Sequence, residues 1–380
     1  MVKQPKTFRY FERKTKSLSK RIKLFVKHRL GWLGVPIIIP YRGFGNNEEL
    51  LVNGHVTEDK GLEKPIDRNT VWQNMLAMIK RYSSDEIPGV KVKIRIDGEE
   101  QELKTEETGM FRASFQSQAA ITAAHSRWID YFAELETDLI GEHRKVMAKG
   151  EILVPGDDVD FGVISDVDDT ILISYATQTL RKLRLMLFRN SRTRKPFPGV
   201  AAFYRALHQG KHGSRSNPFF YVSSSEWNLY DLLEDFCDFN GFPKGVFLLR
   251  ELKVSVLKFW KSGGGDHQHK FRKIKTLFET YPDISFVLIG DNGQRDPEIY
   301  SRIALEYPNR IKVIYIRVVW NKKKDDRLKE IKEELLAKNI QIIFVSDTVE
   351  AARHAVENDL ISEEKIASIV DDARIDLDQK

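Results

Sequence analysis

The chain has 380 residues, which exceeds the length at which one hydrophobic core usually stops growing, so at least two domains are expected. Hydrophobic residues make up 41% of the chain, and no run approaches the ~18 consecutive apolar residues that a membrane-spanning helix needs. The net charge of +6 is modest for this length, and the single cysteine, Cys237, excludes an internal disulfide.

The amino-terminal residues 1–34 are predicted to form a basic amphipathic arm. Residues 1–30 contain eleven Lys or Arg and one acidic residue, Glu12. Between the basic residues, apolar residues recur at helical spacing: Leu18, Ile22, Phe25 and Val26. Such a helix is typical of segments that lie on an anionic membrane surface, which is the partner we expect for this arm. A nucleic-acid partner is not favoured.

Residues 35–155 are predicted to form a β-rich, sandwich-like domain. The clearest strand is VKVKIRI, in which Val90, Val92, Ile94 and Ile96 alternate with basic residues before an Asp-Gly turn. Further strand candidates are IIIPY, ELLVNGHV, MFRASF and the run toward GEILVP, and a helical pattern covers residues 71–82. One face of such strands is buried and the other is solvated.

Residues 156–362 alternate short apolar runs with longer helical patterns. The apolar runs are FGVIS, FFYVS, GVFLL, SFVLIG, IKVIYI and QIIFVS, each followed by a polar turn and a candidate helix. This alternation predicts an α/β domain with a doubly wound parallel sheet. Residues 363–380 are predicted to be an acidic C-terminal tail that begins as a helix.

Polar side chains follow three of the predicted strands, at the edge where an open α/β sheet binds its ligand. They comprise Asp166, Asp168, Asp169 and Thr170 after the first strand, Ser223 after the second, and Asp291 and Asp296 after the fourth. Clustered carboxylates repel one another unless a cation lies between them. Oxygen ligands without a Cys/His pattern suit Mg²⁺ rather than zinc. Lys270, which opens an intervening helix, is a candidate counter-charge.

The ordered set DxDxT, strand-terminal serine, downstream lysine and GDxxxxD resembles the four motifs of the haloacid dehalogenase superfamily. A narrower resemblance rests on YRGFG, SDVDDTI, FRNSRTRKPFPGV, YVSSSEW and LIGDNGQRDPEIY. Together these segments are similar to the actin patch protein family of phosphatidate phosphatases, over roughly residues 35–360. The family's second motif is expected to carry a proline or another small residue where this chain has Glu226.

The resemblance implies a role for each matching residue. Asp166 would attack phosphorus and form an aspartyl-phosphate, and Asp168 would protonate the leaving oxygen and then activate water. Ser223, Lys270 and Thr170 would contact the substrate phosphoryl group. The implied magnesium ligands are Asp166, the Asp168 backbone carbonyl, Asp291 and Asp296.

Simpler roles remain open for several of these residues. Asp169 and Thr170 could cap the following helix, as could Ser224 and Ser225. Cys237 lies in a predicted helix, where a small core residue is the expected role. His267 and His269 lie in a Gly-rich segment without the i, i+4 spacing of a helical metal site. A receiver domain would need neither DxDxT nor the late GDxxxxD.

The leading hypothesis is therefore a magnesium-dependent phosphatase that converts phosphatidate to diacylglycerol and phosphate. Two alternatives remain: a phosphatase acting on a soluble or polynucleotide phosphomonoester, and a non-catalytic module that binds membrane or nucleic acid. A basic helical pattern within residues 178–195 would border the site and could contact an anionic or lipidic substrate. The amino terminus lacks the apolar block of a secretory signal, so a cytoplasmic location is expected, with peripheral membrane association left open. The oligomeric state is not determined by these patterns.

Overall fold

The computed structural model describes residues 35–59, 86–116, 126–137, 144–167, 196–213, 216–250, 268–318 and 325–378. The predicted basic arm and the predicted helix at residues 71–82 lie outside these ranges. The described residues group into two compact units. The β-rich unit contains residues 35–59, 86–116, 128–137 and 144–152, and the α/β unit contains residues 126–127 and the described residues from Leu153 onward.

The β-rich unit is built on one sheet of eight strands. In chain order they are β1 (Pro36–Pro40), β2 (Gly43–Gly45), β3 (Glu49–Glu58), β4 (Lys91–Ile96), β5 (Glu99–Lys104), β6 (Met110–Gln116), β7 (Arg127–Thr137) and β8 (Arg144–Val154). Their order in the sheet is β1-β3-β2-β8-β7-β4-β5, and β6 pairs with β3. The pairs β1–β3, β2–β3, β3–β6, β4–β5 and β4–β7 are antiparallel.

Strand β4 shows why the alternating sequence folds as it does. Val92, Ile94 and Ile96 are buried, which confirms the predicted apolar face. The basic residues of the opposite face are paired with carboxylates on neighbouring strands: Lys91 with Glu102 at 2.8 Å, and Arg95 with both Glu100 at 3.2 Å and the buried Glu134. Since these cations already have anionic partners, the face carries little uncompensated positive charge.

The α/β unit is built on a sheet of six strands, β9 (Gly162–Asp166), β10 (Phe219–Glu226), β11 (Val246–Arg250), β12 (Phe286–Asp291), β13 (Ile311–Arg317) and β14 (Ile342–Val345). Each corresponds to one of the predicted apolar runs. All neighbouring strands are parallel, in the order β11-β10-β9-β12-β13-β14. The order reverses direction at β9, and in parallel sheets such a reversal opens a crevice beyond the carboxyl ends of the strands.

The described helices are α1 (Val200–Gln209), α2 (Tyr230–Phe239), α3 (Gln268–Thr280), α4 (Asp296–Glu306), α5 (Asp325–Leu336), α6 (Thr348–Glu357) and α7 (Lys365–Asp378). Strands β9 and β12 are buried at every position, as expected for parallel strands that are covered on both faces. The chain therefore has a mixed α/β fold with a parallel sheet and a separate eight-stranded sheet. None of the helices described here is long and apolar enough to cross a lipid bilayer.

The carboxyl-terminal helix α7 packs against α1. Ile369 of α7 is fully buried, and Asp372 pairs with Arg205 of α1 at 2.7 Å. The Asp376 carboxylate accepts a hydrogen bond of 2.9 Å from the backbone N–H of Gly199, the residue that caps α1. A carboxylate at the amino end of a helix satisfies a free N–H group and stabilises the helix dipole. Helix α7 thereby fixes the start of α1.

Candidate active site

The carboxyl ends of β9, β10 and β12 bring the predicted site residues to one edge of the sheet. Val222 of β10 is the register partner of Asp166, and Ile289 of β12 is the partner of Ser165. Ser223 and Asp291 therefore each lie one residue beyond the level of Asp166. The side chains of Asp166, Ser223 and Asp291 are fully buried.

Three buried aspartates meet at this edge. Asp166 ends β9, Asp291 ends β12 and Asp296 begins α4, and each offers a carboxylate oxygen within 4.8 Å of the other two. Such a group of oxygens could hold a metal ion. The predicted site residues Asp168 and Thr170 lie outside the described residues, so their roles stay predictions.

The ammonium group of Lys270 lies between two of these aspartates. Its Nζ atom is 2.8 Å from Oδ1 of Asp166 and 2.5 Å from Oδ1 of Asp296. Burial by itself lowers the pKa of Lys270, but the charges of Asp166 and Asp296 raise the pKa by more, so the net shift is upward. Lys270 therefore stays protonated at neutral pH and supplies a permanent positive charge inside the carboxylate cluster.

The turn after β12 orients Asp291. The backbone N–H groups of Gly293 and Gln294 donate to Oδ1 of Asp291 at 2.5 and 3.2 Å. Asp296 folds back on the strand end, and its Oδ2 accepts a hydrogen bond of 3.3 Å from the Asp291 backbone N–H. A Cβ atom at Gly290 would lie 2.6 Å from that same Oδ2. Glycine is needed here because the carboxylate of Asp296 occupies the space of a side chain.

Ser223 supports the turn at the end of β10. Its Oγ accepts a hydrogen bond of 2.9 Å from the backbone N–H of Ser225, whereas Ser224 and Ser225 are half-buried. The register of β10 against β11 shifts between Val222 and Glu226, so the serines form an irregular end to the strand. Backbone N–H groups in such a turn can point at an anion. A phosphoryl contact at Ser223 stays a prediction.

Two residues that the motif analysis missed, Ser165 and Tyr204, hold the backbone of Asp166 through hydrogen bonds. The Ser165 hydroxyl donates to the Asp166 carbonyl oxygen at 2.8 Å, and it lies 2.7 Å from the Tyr204 hydroxyl of α1. The Ser165 hydroxyl has one proton, which it donates to the Asp166 carbonyl oxygen. The Tyr204 hydroxyl is therefore the donor in the hydrogen bond between Tyr204 and Ser165. Burial raises the pKa of Tyr204, which keeps that proton in place. The sequence signal was weak, since 39 residues separate the two hydroxyls.

Arg317 is a third residue that the motif analysis did not select. It ends β13 as the register partner of Asp291, and its carbonyl oxygen accepts a hydrogen bond of 3.0 Å from the Asn292 N–H. The guanidinium lies 3.8 Å from the ring centroid of Phe197 and donates to Thr348 Oγ1 at 3.1 Å. The signal was present, because Arg317 is a polar residue that follows the apolar run IKVIYI.

Glu226, where the resemblance led us to expect a small residue, is paired with Arg250. An Nη2–Oε1 hydrogen bond of 3.0 Å joins the ends of β10 and β11, and Glu226 is buried. Burial raises the pKa of Glu226, and the charge of Arg250 offsets part of this shift. The negative charge that Glu226 adds at this edge is therefore compensated locally.

The donor set fits a hard divalent cation. Three buried carboxylates with one ammonium leave an excess of negative charge, and oxygen donors suit Mg²⁺. His269 precedes Lys270 in the first turn of α3, but it does not belong to this carboxylate cluster. The predicted choice of oxygen ligands over a Cys/His site agrees with the geometry of the described residues.

Comparison with known proteins identifies the segment that carries this site. Residues 161–318 match the family described as "Phosphatidate phosphatase APP1, catalytic domain". Phosphatidate phosphatase APP1 of Saccharomyces cerevisiae is 31% identical over 164 residues, which cover 43% of this chain and 27% of that protein. An uncharacterized protein of Schizosaccharomyces pombe is 27% identical over 158 residues, 41% of this chain and 25% of that protein. The matched region spans about a quarter of the length of each relative.

The resemblance to this phosphatidate phosphatase family is thus confirmed for residues 161–318. Solved structures show only distant likeness. A carbohydrate acetylesterase from Xanthomonas citri is 11% identical, with a TM-score of 0.27 over 89% of this chain and 74% of that chain. A Parabacteroides merdae beta-glucuronidase is 8% identical, with a TM-score of 0.24 over 81% and 40% of the two chains. Neither likeness supports an inference about fold or function.

The buried ammonium of Lys270 predicts a strong effect of its removal on stability. We expect Lys270→Met to lower the free energy of unfolding by about 3–5 kcal/mol, because it leaves two buried carboxylates without their partner. Chemical denaturation of purified protein measures the change. Lys275→Met is the matched control on the same helix, since Lys275 pairs with Glu306 at the surface. An equal loss in both variants would contradict the prediction.

Proposed function

We propose, from the match of residues 161–318 to the phosphatidate phosphatase catalytic family, that the chain hydrolyses a phosphomonoester, with phosphatidate as the substrate. The observation that carries the proposal is the buried contact of Lys270 with Asp166 and Asp296, beside Asp291, inside the matched segment. A carboxylate at a strand end, held by a permanent cation, is suited to attack phosphorus. The sequence match and the geometry of the site therefore both support hydrolysis of a phosphomonoester.

In the proposed reaction, an Asp166 oxygen forms a bond to phosphorus as the bond to the diacylglycerol oxygen breaks. The leaving oxygen takes a proton from Asp168, which gives diacylglycerol and an aspartyl-phosphate. Water then attacks the phosphorus and gives its proton to Asp168, and the Asp166 carboxylate is regenerated as phosphate leaves. Asp168 lies outside the described residues, and its role rests on the DxDxT motif.

The described residues supply the electrostatics of this reaction. Lys270 would hold the Asp166 carboxylate ionised and oriented and would neutralise charge on the transferring phosphoryl group. Ser223 and its turn would bind a phosphoryl oxygen, and Thr170 would assist from outside the described residues. Ser165 and Tyr204 fix the backbone of Asp166, so the nucleophile needs little reorganisation.

Magnesium is the proposed cofactor because the donors are buried carboxylates. Asp166, Asp291, Asp296 and the Asp168 carbonyl would hold it. When bound, the ion would withdraw charge from the phosphoryl oxygens during transfer. The strand order 3-2-1-4-5-6 of the parallel sheet, counted from β9, supports a doubly wound arrangement of the haloacid dehalogenase type.

Membrane contact is proposed for the basic arm, residues 1–34, which would bring the enzyme to its lipid substrate at the cytoplasmic face. The support is the sequence alone, through the alternation of basic and apolar residues. The domain limits 35–155, 156–362 and 363–380 are likewise proposals. A soluble phosphomonoester remains the alternative substrate, and the experiments below separate the two.

Asp166→Asn should abolish turnover, because an amide cannot form the acyl-phosphate. Phosphate release would be measured with phosphatidate in vesicles, with lysophosphatidate and with a soluble aryl phosphate. Asp283→Asn, in an exposed turn at the opposite end of the sheet, is the control and should keep wild-type rates. Residual activity of Asp166→Asn above a few per cent would rule out this nucleophile. A wild-type protein active only on soluble esters would favour the alternative substrate.

Turnover should require bound Mg²⁺, and Asp291 should contribute to the Mg²⁺ affinity. We expect a chelator to stop turnover and added Mg²⁺ to restore it. Asp291→Asn should need roughly 10-fold or more Mg²⁺ for half-maximal activity, since it loses a charged ligand. Calorimetric titration of Mg²⁺ measures the same loss without turnover. An unchanged Mg²⁺ affinity would show that Asp291 is not a ligand.

The arm should bind vesicles through its apolar face. We expect replacement of Ile22, Phe25 and Val26 by serine to reduce cosedimentation with phosphatidate-containing vesicles and to leave turnover of a soluble ester unchanged. Wild-type binding should also weaken as salt rises. If the serine variant sediments like wild type, the arm is not the tether.

A further inference from the structure

Glu226 and Arg250 form an ion pair at the same edge of the sheet as the aspartate cluster. The two residues are register partners at the ends of β10 and β11, and Arg250 Nη2 lies 3.0 Å from Glu226 Oε1. The Glu226 side chain is 9% exposed and that of Arg250 is 25% exposed. The carboxylate is thus the more enclosed partner, and the Arg250 side chain is the more exposed one.

The strand register places this pair at the same edge of the sheet as Ser223, with Glu226 on the strand next to Asp166 and Arg250 one strand farther out. Val222 is the register partner of both Asp166 on β9 and Leu248 on β11. Glu226 and Arg250 therefore lie farther along the strands than Asp166, on the outer side of the serine turn that begins at Ser223. A phosphate group held at Asp166 and Ser223 would feel the field of either charge if the partner were absent.

The two charges would act on such a phosphate in opposite directions. Arg250 alone would attract it and could also bind a second anionic group on the same substrate, since a guanidinium matches phosphate geometry. Glu226 alone would repel it. As a pair at 3.0 Å, the two fields largely cancel beyond their immediate neighbourhood. The pair thereby limits the positive charge next to the site.

We propose that Glu226 is a specificity-determining residue that masks Arg250, so that the site accepts a single phosphate group and disfavours substrates with a second one. The inference rests on the proposed phosphatase function and deepens it. Its substrate class is the singly phosphorylated monoester.

The test uses the full-length protein with Mg²⁺ and measures binding of inorganic phosphate by calorimetry. Glu226→Gln keeps a hydrogen-bond acceptor for Arg250 but removes the negative charge. We expect phosphate to bind about three- to tenfold more tightly to it, the effect of one charge near the site. Arg250→Gln should weaken phosphate binding by a similar factor, and the double variant should lie near wild type.

Two sugar phosphates test the specificity directly. Binding of glucose 1,6-bisphosphate relative to glucose 6-phosphate should rise in Glu226→Gln, because the unmasked Arg250 binds the second phosphate. The control is Arg95→Gln in the β-rich unit, where another arginine pairs with a buried glutamate, Glu134. That variant should leave both affinities unchanged. Thermal unfolding of each variant shows whether it is folded, and if Arg250→Gln is not, Glu226→Gln decides alone.

Opposite signs in the two single variants would support masking, since a purely structural pair would weaken binding in both. Equal losses, or an unchanged affinity in folded Glu226→Gln, would overturn the inference while wild-type phosphatase activity stands. If wild type binds phosphate but hydrolyses no monoester, the proposed function fails, and the binding data still decide about Glu226. If wild type hydrolyses monoesters but does not bind phosphate at all, the inference about Glu226 falls and the proposed function stands.

Discussion

The buried ammonium of Lys270 between Asp166 and Asp296 is the interaction on which the site depends. Moving carboxylates out of water costs several kcal/mol each unless a cation compensates them. Lys270 supplies one positive charge at 2.8 and 2.5 Å from two of the three buried aspartates. The remaining negative charge explains why the same cluster suits a divalent cation. The stability of this edge and its proposed chemistry therefore have one electrostatic origin.

The rest of the α/β unit holds these charges in place. The strand register sets the positions of Asp166 and Asp291 along their strands, and Gly290 leaves space for the Asp296 carboxylate. The hydrogen bonds from Tyr204 to Ser165 and from Ser165 to the Asp166 carbonyl tie the Asp166 backbone to α1. Helix α1 is capped in turn by Asp376 of α7. The support of the site thus extends to the last described helix.

This support reaches beyond the segment that matches the phosphatidate phosphatase family, which ends at residue 318. Strand β14 completes the sheet beside β13, and Thr348 at the start of α6 holds the guanidinium of Arg317. Arg317 and the Glu226–Arg250 pair lie at the carboxyl edge on opposite sides of the aspartates. The guanidinium of Arg250 is paired with a carboxylate, whereas that of Arg317 donates to a hydroxyl, stacks on Phe197 and keeps its positive charge.

The sequence alone determined the six strands of the parallel sheet and the positions of the acidic residues that follow them. Six apolar runs became β9–β14 because parallel strands buried on both faces need continuous apolar residues, and Asp166 and Asp291 follow such runs. Helical spacing could not separate Lys270 from Lys273 and Lys275. Only packing decided that Lys270 is buried against the aspartates, while Lys273 binds the Leu248 carbonyl and Lys275 lies at the surface.

Tertiary structure also decided the contacts between residues far apart in the chain. The partner of Glu226 is 24 residues away and that of Ser165 is 39 residues away, and no local pattern links either pair. The roles of Asp168 and Thr170 stay predictions from the motif. The local sequence determines which residues end a strand, because both the apolar run of the strand and the polar residues of the turn after it are local features. Which charges meet there depends on the register and packing of whole strands and helices, which only the folded chain defines.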